Sequence, residues 1–250
     1  MTDTDFSFDN NLYICKVTAD KKKCPTYLRS IPAVVQLFDR GIEFKKRITV
    51  FMGENGIGKS TLLEAIAAAY GFNPEGGTRN FSFSTYNSHS ELYGALKLSR
   101  GGYPKDGFFL RAESFYNVAS EIERLDNIPA ASPPIIDGYG GVSLHEQSHG
   151  ESFMALAMNR FRGHGLYILD EPEAALSPTA QMALLARNDS QLIIATHSVI
   201  ISALPDADVY EITEKGINKT EYVKTSHYNI MKHFINSPEK MVSDLTGKER

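Results

Sequence analysis

Short apolar runs alternate along the chain with segments in which apolar residues recur at helical spacing. A short apolar run bounded by turn formers is typical of a buried strand, whereas apolar residues three and four positions apart are typical of a helix. The predicted core strands are residues 48–52, 107–110, 166–169 and 192–195. The predicted helices are residues 59–70, 115–124, 153–161 and 179–187. This alternation predicts an α/β fold with a mostly parallel core sheet.

The remaining segments predict a less regular periphery. Residues 12–17 are a β-rich run, and residues 209–213 and 220–223 flank a Lys-Gly turn, which predicts an antiparallel hairpin. A helical tail follows the hairpin and is broken at Pro238. Residues 75–106 are rich in Gly, Ser, Asn and Tyr and have weak periodicity, so we expect an irregular lobe there.

The length of 250 residues suits one large domain or two small ones. We interpret the chain as a single domain, residues 1–250, with a lobe inserted at about 72–147 and a hairpin and helical tail at about 208–250. Hydrophobic residues make up 42% of the chain and charged residues 22%, which excludes disordered, collagen-like and rod-shaped proteins. The net charge of −4 argues against a protein that coats nucleic acid or adsorbs strongly to membranes.

Features that bear on location are few. The two cysteines, Cys15 and Cys24, are too few for a zinc site or a disulfide framework, which suits a reducing compartment. The first ten residues are acidic and polar, unlike the start of a secretory signal. The longest apolar stretch, residues 65–72, is less than half of the roughly 18 residues that a spanning helix needs. We therefore expect a cytoplasmic protein without direct insertion into a membrane.

A glycine-rich segment between a predicted strand and a predicted helix fits the phosphate-binding pattern G-x-x-x-x-G-K-[ST]. Its residues are Gly53, Glu54, Asn55, Gly56, Ile57, Gly58, Lys59 and Ser60, followed by Thr61. Glycines let successive backbone N–H groups surround phosphate oxygens, and the helix start adds its positive dipole end. Lys59 is expected to meet the β- and γ-phosphates and the Ser60 hydroxyl to ligate magnesium. The segment therefore predicts a site for ATP and Mg²⁺.

Two adjacent carboxylates, Asp170 and Glu171, end the apolar run at residues 166–169. Parallel strands bring their carboxyl ends to one edge of the sheet, which is where α/β proteins bind ligands. Asp170 can there hold the magnesium ion or its water, and Glu171 can polarise the water that attacks the γ-phosphate. A solvated acidic strand end is the alternative, and the phosphate loop favours the catalytic explanation.

Two further motifs lie at predicted helix and strand ends. Ser148 and Glu151 form a capping box, and the same helix start is suited to grip a phosphate through Ser148 and Gly150. His197 follows the strand at residues 192–195, at the same sheet edge as the acidic pair. It can donate a hydrogen bond there to the γ-phosphate or to the attacking water. Helix capping alone and a structural histidine are the alternatives.

The order of these parts resembles the ATP-binding-cassette (ABC) ATPases: phosphate loop, signature segment, acidic pair and histidine. The resemblance implies a P-loop NTPase head of the ABC type, with a mostly parallel core sheet, an antiparallel β portion and an inserted helical or irregular lobe. It implies that two chains pair head to tail on ATP, with Ser148 and Gly150 of one chain acting on the ATP of the other. It also implies Glu171 as catalytic glutamate, Asp170 as magnesium-associated aspartate and His197 as switch histidine.

Details of the motifs resemble a narrower group. The Glu-Asn-Gly of the phosphate loop and the segment at residues 170–178 are similar to the ATPase heads of chromosome-maintenance, recombination and overcoming-lysogenization-defect proteins and to stand-alone AAA-family ATPases. The signature reads Gln-Ser-His-Gly-Glu from Gln147, where transporter subunits usually have Leu-Ser-Gly-Gly-Gln. Residues 174–177 resemble the loop that contacts the partner in the dimer. Glu113 stands near the place of the magnesium-contacting glutamine of the family.

Three functions are compatible with the sequence. The first is an ATP-hydrolysing ATPase whose ATP-dependent homodimer switches a separate effector protein or nucleic acid, in DNA repair or in defence against foreign DNA. The second is the ATP-binding subunit of a membrane transporter, against which the departures in the signature argue. The third is a non-hydrolysing ATP-sensing clamp, against which the presence of Glu171 and His197 argues.

Overall fold

The computed structural model describes residues 12–79, 90–129, 131–161, 163–185 and 190–247, without the side chains of residues 183–185. In this part of the chain the strands are β1 (Lys16–Ala19), β2 (Ile42–Glu43), β3 (Ile48–Gly53), β4 (Leu96–Ser99), β5 (Asp106–Arg111), β6 (Gly165–Asp170), β7 (Gln191–Ala195), β8 (Ala207–Thr213) and β9 (Gly216–Thr220). The α-helices are α1 (Pro32–Asp39), α2 (Lys59–Tyr70), α3 (Phe115–Asp126), α4 (His149–Arg160), α5 (Pro178–Leu185), α6 (Val199–Ser202), α7 (Ser226–Asn236) and α8 (Pro238–Thr246).

A six-stranded sheet forms the centre of the described structure, in the order β5-β6-β7-β3-β8-β9. Neighbouring strands are parallel from β5 through β8, and β9 runs antiparallel to β8. The four predicted core strands and the mostly parallel sheet are confirmed. Because β7 lies between β3 and β6, the carboxyl ends of these three strands are adjacent at one edge of the sheet.

The central sheet is buried on both faces. Neighbouring residues of a strand point to opposite sides of the sheet, so consecutive buried residues show that both sides are covered. Along β3, Val50 and Met52 belong to one apolar cluster and Phe51 to another, and all three are fully buried. α2 packs on the Phe51 side through residues such as Ile66, and α4 packs on the other side through residues such as Phe153. Burying a side chain of this size contributes about 2 kcal/mol relative to exposure, so apolar burial holds the helices against the sheet.

The predicted helices are present, with shifted ends. α2 has the predicted bounds, whereas α3 extends two residues further than predicted and α4 begins at His149 instead of residue 153. α4 starts earlier because its capping box lies at Ser148. α5 begins at Pro178, and the last two residues of the helix predicted at 179–187 lie outside the described residues.

A second, antiparallel sheet has the order β2-β1-β4. β4 lies within residues 75–106, so the prediction of an irregular lobe is wrong for this part, and residues 80–89 lie outside the described residues. Leu96 and Leu98 of β4 are partly buried and pack against the core, whereas the two residues that alternate with them are exposed. An alternation over four residues is too short to predict a strand from the sequence. β4 is a strand because it pairs with β1, which is far away in the sequence.

The β-rich run at residues 12–17 belongs to a strand only in its last two residues, because β1 begins at Lys16. The N–H groups of Tyr13 and Ile14 bond to Oε1 of Gln191, at 2.8 and 2.9 Å. The amide nitrogen of Gln191 donates in turn to the carbonyl of Ile14 at 2.8 Å. A fully buried side-chain amide therefore takes the place of a neighbouring strand.

The predicted hairpin is present, but its second strand lies earlier than predicted. β8 and β9 are joined by a two-residue turn, with Thr213 opposite Gly216. Residues 221–223 therefore follow β9, and Tyr222–Lys224 is a short 3₁₀ helix. The break in the helical tail is confirmed, since α8 begins at Pro238. Proline is tolerated in the first turn of a helix, where its missing N–H has no partner to lose.

Helices α7 and α8 contain no buried residue, although both carry large apolar side chains. The exposed ones are Ile230, Met231, Phe234, Ile235, Val242 and Leu245. Across the described ranges, none of the helices is both long enough and apolar enough to cross a membrane.

Candidate functional site

The phosphate loop joins β3 to α2 at the carboxyl edge of the central sheet. Two of its glycines occupy positions where a side chain would not fit. Gly53 has a φ of +153°, and a Cβ there would lie 2.5 Å from the carbonyl oxygen of Ile212. Gly58 has a φ of +100°, and its Cβ would lie 2.4 Å from Cγ2 of Ile31. Packing therefore requires glycine at both positions, independently of any phosphate.

The Lys59 side chain is almost fully buried within the loop. Its ammonium group has three partners: the carbonyl of Gly53 at 2.9 Å, the carbonyl of Glu54 at 3.1 Å and Nε2 of His197 at 2.8 Å. Burial lowers the pKa of Lys59, and the nearby carboxylate of Glu171 opposes this shift. In this conformation the loop binds its own lysine, so a phosphate group would have to replace these partners.

Asp170 ends β6 and is buried beside the phosphate loop. The hydroxyl of Ser60 donates a hydrogen bond of 3.0 Å to its Oδ1. Burial raises the pKa of Asp170 to about 7, although this hydrogen bond and the guanidinium of Arg111 both act to lower it. The two residues predicted as magnesium ligands, Ser60 and Asp170, are therefore in direct contact.

The oxygens of Ser60 and Asp170 fit magnesium, which prefers hard oxygen ligands. The described residues include no group of three or more His, Cys, Asp or Glu side chains that could hold a metal ion by themselves. Magnesium at nucleotide sites typically takes one or two protein ligands and completes its shell with phosphate oxygens and water. The two oxygen donors therefore suit a metal ion that is bound together with a phosphate ligand.

Arg111 is a site residue that is not predicted from the sequence. It ends β5, opposite Asp170 in the parallel register. Its Nη1 lies 2.6 Å from Oε2 of Glu64 on α2, and its Nε lies 3.8 Å from Oδ2 of Asp170. Glu113 is largely exposed, and its carboxylate lies 3.3 Å from Nη2 of Arg111. Arg111 is thus the residue of this segment that approaches the acidic pair.

Glu171 follows Asp170 in a left-handed backbone conformation, with a φ of +51°. This conformation is uncommon for residues other than glycine and costs of order 1 kcal/mol. The N–H of Glu171 bonds to the carbonyl of Ala195 at 2.9 Å, which holds the turn against β7. Its Oε1 lies 3.4 Å from Nε2 of His197, and the side chain remains 36% exposed. The carboxylate is therefore next to the histidine and accessible to water.

His197 lies after β7, between the phosphate loop and the acidic pair, as its position in the sequence predicts. Its backbone N–H donates a hydrogen bond of 2.5 Å to Oε1 of Glu173. Its ring contacts Lys59 through Nε2 and His227 through Nδ1, the latter at 3.1 Å. Burial and the charge of Lys59 lower the pKa of His197, which favours a neutral ring. Neither Glu173 nor His227 is predicted as a site residue from the sequence.

The signature segment lies at the start of α4, with its capping box intact. Ser148 accepts from the N–H of Glu151 at 3.4 Å, and the Glu151 carboxylate accepts from the N–H of Ser148 at 3.0 Å. A Cβ on Gly150 would lie 3.1 Å from the carbonyl oxygen of Ala175, so the segment packs closely on the loop after the acidic pair. Ser148 is exposed, and among the described residues no hydrogen bond links Ser148 or Glu151 to the phosphate loop.

One protein family matches part of the chain. Residues 29–118, which include the phosphate loop, match the AAA domain family. A comparison with curated proteins finds no match.

Solved structures with a similar fold include CbiO1 from Clostridium perfringens, part of the ABC transporter complex CbiONQ. It is 20% identical to this chain, with a TM-score of 0.44 over 95% of this chain and 100% of that one. Another is the ATP-binding subunit of an ABC transporter, 17% identical with a TM-score of 0.46 over 93% of this chain and 99% of that one. A third is a metal-chelate type ABC transporter in an inward-facing conformation, 13% identical with a TM-score of 0.46 over 88% of each chain.

The phosphate loop lies within the residues that match the AAA domain family, whereas the acidic pair and His197 lie outside them. The phosphate loop begins at the end of β3, the acidic pair lies at the end of β6, and His197 lies two residues after the strand between them. This arrangement is that of an α/β fold with a phosphate loop, and residues 29–118 of it match the AAA domain family. The pattern of the loop is one that binds the phosphates of a nucleotide.

Replacing Asp170 with asparagine is expected to stabilise the nucleotide-free protein, and more so at pH 8 than at pH 5. The pKa of Asp170 is about 7 in the folded chain. An unfolded aspartate has a pKa of about 3.9, so the folded state binds this proton more tightly. The free energy of unfolding therefore falls as the pH rises from about 4 to about 7, and an asparagine does not have this loss. Between pH 5 and pH 8 the advantage of the variant should grow by roughly 3 kcal/mol.

Urea unfolding in EDTA at both pH values measures this difference. The matched control is Asp244→Asn, because Asp244 is an exposed aspartate on α8. An effect of Asp170→Asn that is equal at the two pH values would contradict the buried, proton-binding state of this carboxyl.

Proposed function

We propose that the chain binds ATP with magnesium at the carboxyl edge of its central sheet and hydrolyses it. The observation that carries this proposal is the set of contacts between the ends of three adjacent strands. Lys59 meets His197 at 2.8 Å, His197 meets Glu171 at 3.4 Å, and Ser60 meets Asp170 at 3.0 Å. The groups proposed to bind phosphate, to hold the metal and to activate water thereby lie within one site.

ATP binding begins with an exchange of partners at Lys59. Its ammonium group leaves the carbonyls of Gly53 and Glu54 for phosphate oxygens, which form stronger, charge-assisted hydrogen bonds. The N–H groups at the start of α2 bind the same phosphates and add the positive end of the helix dipole. The exchange also frees Nε2 of His197, which the lysine otherwise occupies.

Hydrolysis then depends on Glu171 and His197. The partly exposed carboxylate of Glu171 polarises the attacking water, and Nε2 of His197 donates a hydrogen bond to the γ-phosphate. Ser60 and Asp170 are the residues that hold magnesium, which neutralises charge on the phosphates when it is bound. The left-handed turn at Glu171 places its carboxylate beside the histidine, which suits a shared role at the γ-phosphate.

We further propose that two chains pair head to tail on ATP. Ser148 is exposed, and the capping box of Glu151 already satisfies its own helix start. Gly150 lies against Ala175 in the loop at residues 174–177 that follows the acidic pair. The segment is therefore available to the ATP of a second chain, where Ser148 and Gly150 would contact phosphate.

The proposed role of the ATP cycle is to switch a separate effector, a protein or a nucleic acid, in DNA repair or in defence against foreign DNA. The resemblance of the phosphate loop and of the acidic segment to recombination and chromosome-maintenance ATPases supports this role. A nucleic-acid effector predicts DNA binding that weakens steeply with salt.

The alternative, the ATP-binding subunit of a membrane transporter, predicts copurification with membranes only when a membrane subunit is coexpressed. A non-hydrolysing clamp predicts bound ATP without phosphate release.

Replacing Ser148 with arginine is expected to leave ATP binding by the single chain intact and to stop hydrolysis. The phosphate loop lies on another part of the chain and keeps its contacts, while the arginine blocks the approach of the signature to the second ATP. Fluorescent-nucleotide titration and phosphate release measure the two effects. Ser132→Arg is the matched control, because Ser132 is also exposed. Turnover that persists in Ser148→Arg would contradict the action of the signature in trans.

A further inference from the structure

A second histidine contacts the proposed switch histidine from the C-terminal part of the chain. Nε2 of His227 lies 3.1 Å from Nδ1 of His197, and the ring centroids are 5.1 Å apart. His227 is the second residue of α7 and is half-buried. The two rings therefore form a hydrogen-bonded pair that leads from the phosphate site to the helical tail.

The contacts of His197 in this structure define its tautomer. The ammonium group of Lys59 has no lone pair, so it donates to Nε2 of His197, which must accept. A neutral imidazole that accepts at Nε2 carries its proton on Nδ1. The Nδ1–H of His197 therefore donates to Nε2 of His227, which accepts.

Hydrolysis as proposed above demands the opposite tautomer. When ATP draws Lys59 away, Nε2 of His197 must carry a proton in order to donate to the γ-phosphate. Its Nδ1 then becomes an acceptor, and the hydrogen bond to His227 survives only if Nε2 of His227 becomes the donor. In this change the Nδ1 proton of His197 passes along the hydrogen bond to Nε2 of His227, His227 releases its Nδ1 proton to water, and Nε2 of His197 takes up a proton from water. Each ring therefore keeps a single proton, and the charge of neither ring changes.

His227 is able to follow this change. Its Nδ1 is buried and has no hydrogen-bond partner among the described residues. Since no partner at Nδ1 fixes its proton there, His227 can serve as acceptor or as donor at Nε2. A carboxylate or an amide N–H in this place would act in only one of these two ways.

The backbone that carries His227 is held firmly to the sheet. The hydroxyl of the buried Thr225 caps α7 by accepting from the N–H of Tyr228 at 3.3 Å. The N–H of Ser226 donates to Oε1 of Glu211 on β8 at 2.7 Å. β8 is paired with β3, the strand that leads into the phosphate loop. The central sheet therefore holds both the His227 ring and the proposed nucleotide site in place.

We propose that His227 is a positioning residue for His197, which it orients through one hydrogen bond that reverses direction when ATP binds. This inference rests on the proposed ATP site and adds the C-terminal helix α7 to it. His227 touches neither ATP nor water in this role and acts only through His197.

The wild-type protein tests the reversal directly. Nitrogen-15 NMR of labelled histidines distinguishes a ring protonated at Nδ1 from one protonated at Nε2, and His197→Ala identifies the His197 signals by their loss. We expect His197 to carry its proton on Nδ1 without nucleotide and on Nε2 with magnesium and a non-hydrolysable ATP analogue. His227 should change from acceptor to donor at Nε2 in the same titration. Tautomers that stay the same while the analogue saturates the site would overturn the inference.

Variants test whether the hydrogen bond matters for turnover. His227→Phe keeps an aromatic ring and removes the bond, so kcat should fall roughly tenfold while KM and the Kd for ATP are unchanged. His227→Gln offers both an acceptor and a donor and should restore most of the rate. The matched control is His233→Phe, since His233 is exposed on the same helix. A wild-type kcat in His227→Phe, or equal losses in the phenylalanine and glutamine variants, would contradict positioning by this bond.

These results are distinguishable from a failure of the proposed function. If the wild-type chain releases no phosphate from ATP, the proposed function fails before any variant is made. If the wild type hydrolyses ATP and His227→Phe does so equally well, the site stands and only the role of His227 is lost.

Discussion

Replacing Lys59 with alanine is expected to abolish ATP binding. The ammonium group is the buried cation inside the phosphate loop, and its present partners are two carbonyls and an imidazole that phosphate oxygens can replace. Hydrogen bonds to charged groups contribute roughly 1.5–3 kcal/mol each, so losing two of them weakens binding at least about a hundredfold. Titration with a fluorescent ATP analogue in magnesium measures the affinity.

The control for Lys59→Ala is Lys45→Ala. The Lys45 side chain is 72% exposed and approaches Glu43 only at 4.0 Å, so its loss should leave the affinity unchanged. Thermal unfolding of both variants checks that they are folded. An ATP affinity of Lys59→Ala equal to that of the wild type would contradict the assignment of the phosphate loop.

Replacing Glu171 with glutamine is expected to preserve ATP binding and to lower kcat by at least roughly a hundredfold, the range for loss of a general base. Glutamine has nearly the same shape as glutamate, but it no longer attracts a proton from water. The phosphate loop and the proposed magnesium ligands are unchanged by the substitution. Single-turnover hydrolysis of ATP by saturating protein separates this chemical step from binding.

The control for Glu171→Gln is Glu146→Gln, because Glu146 is an exposed glutamate whose loss should leave kcat unchanged. If Glu171→Gln hydrolyses ATP at the wild-type rate, another group activates the water. Glu173 would then be the next residue to replace, since it contacts the backbone of His197 at 2.5 Å.

The parts of the site that lie in one contiguous segment are predictable from the sequence. The phosphate loop is recognisable because its glycines, lysine and serine act within eight consecutive residues. The carboxyl ends of parallel strands meet by a general rule, which places Asp170, Glu171 and His197 together once their strands are predicted. The bounds of α2 follow for the same reason, since loop and helix are continuous.

The parts that depend on pairing between distant segments are not predictable in this way. Arg111 enters the site because β5 pairs with β6 in a register that sets it opposite Asp170. His227 enters because α7 is held against β8, which no local pattern in the tail indicates. β4 is missed because its alternation is short and its partner β1 is far away in the sequence.

The most direct test of the account is the mass of Glu171→Gln in solution, measured by light scattering after size exclusion with and without magnesium and ATP. Without nucleotide we expect one chain of 27.7 kDa. With ATP trapped by the loss of hydrolysis, we predict twice that mass, and Ser148→Arg in the same background should return it to one chain. A mass that stays at one chain at every protein concentration, while ATP saturates the site, would contradict the proposal of an ATP-dependent head-to-tail dimer.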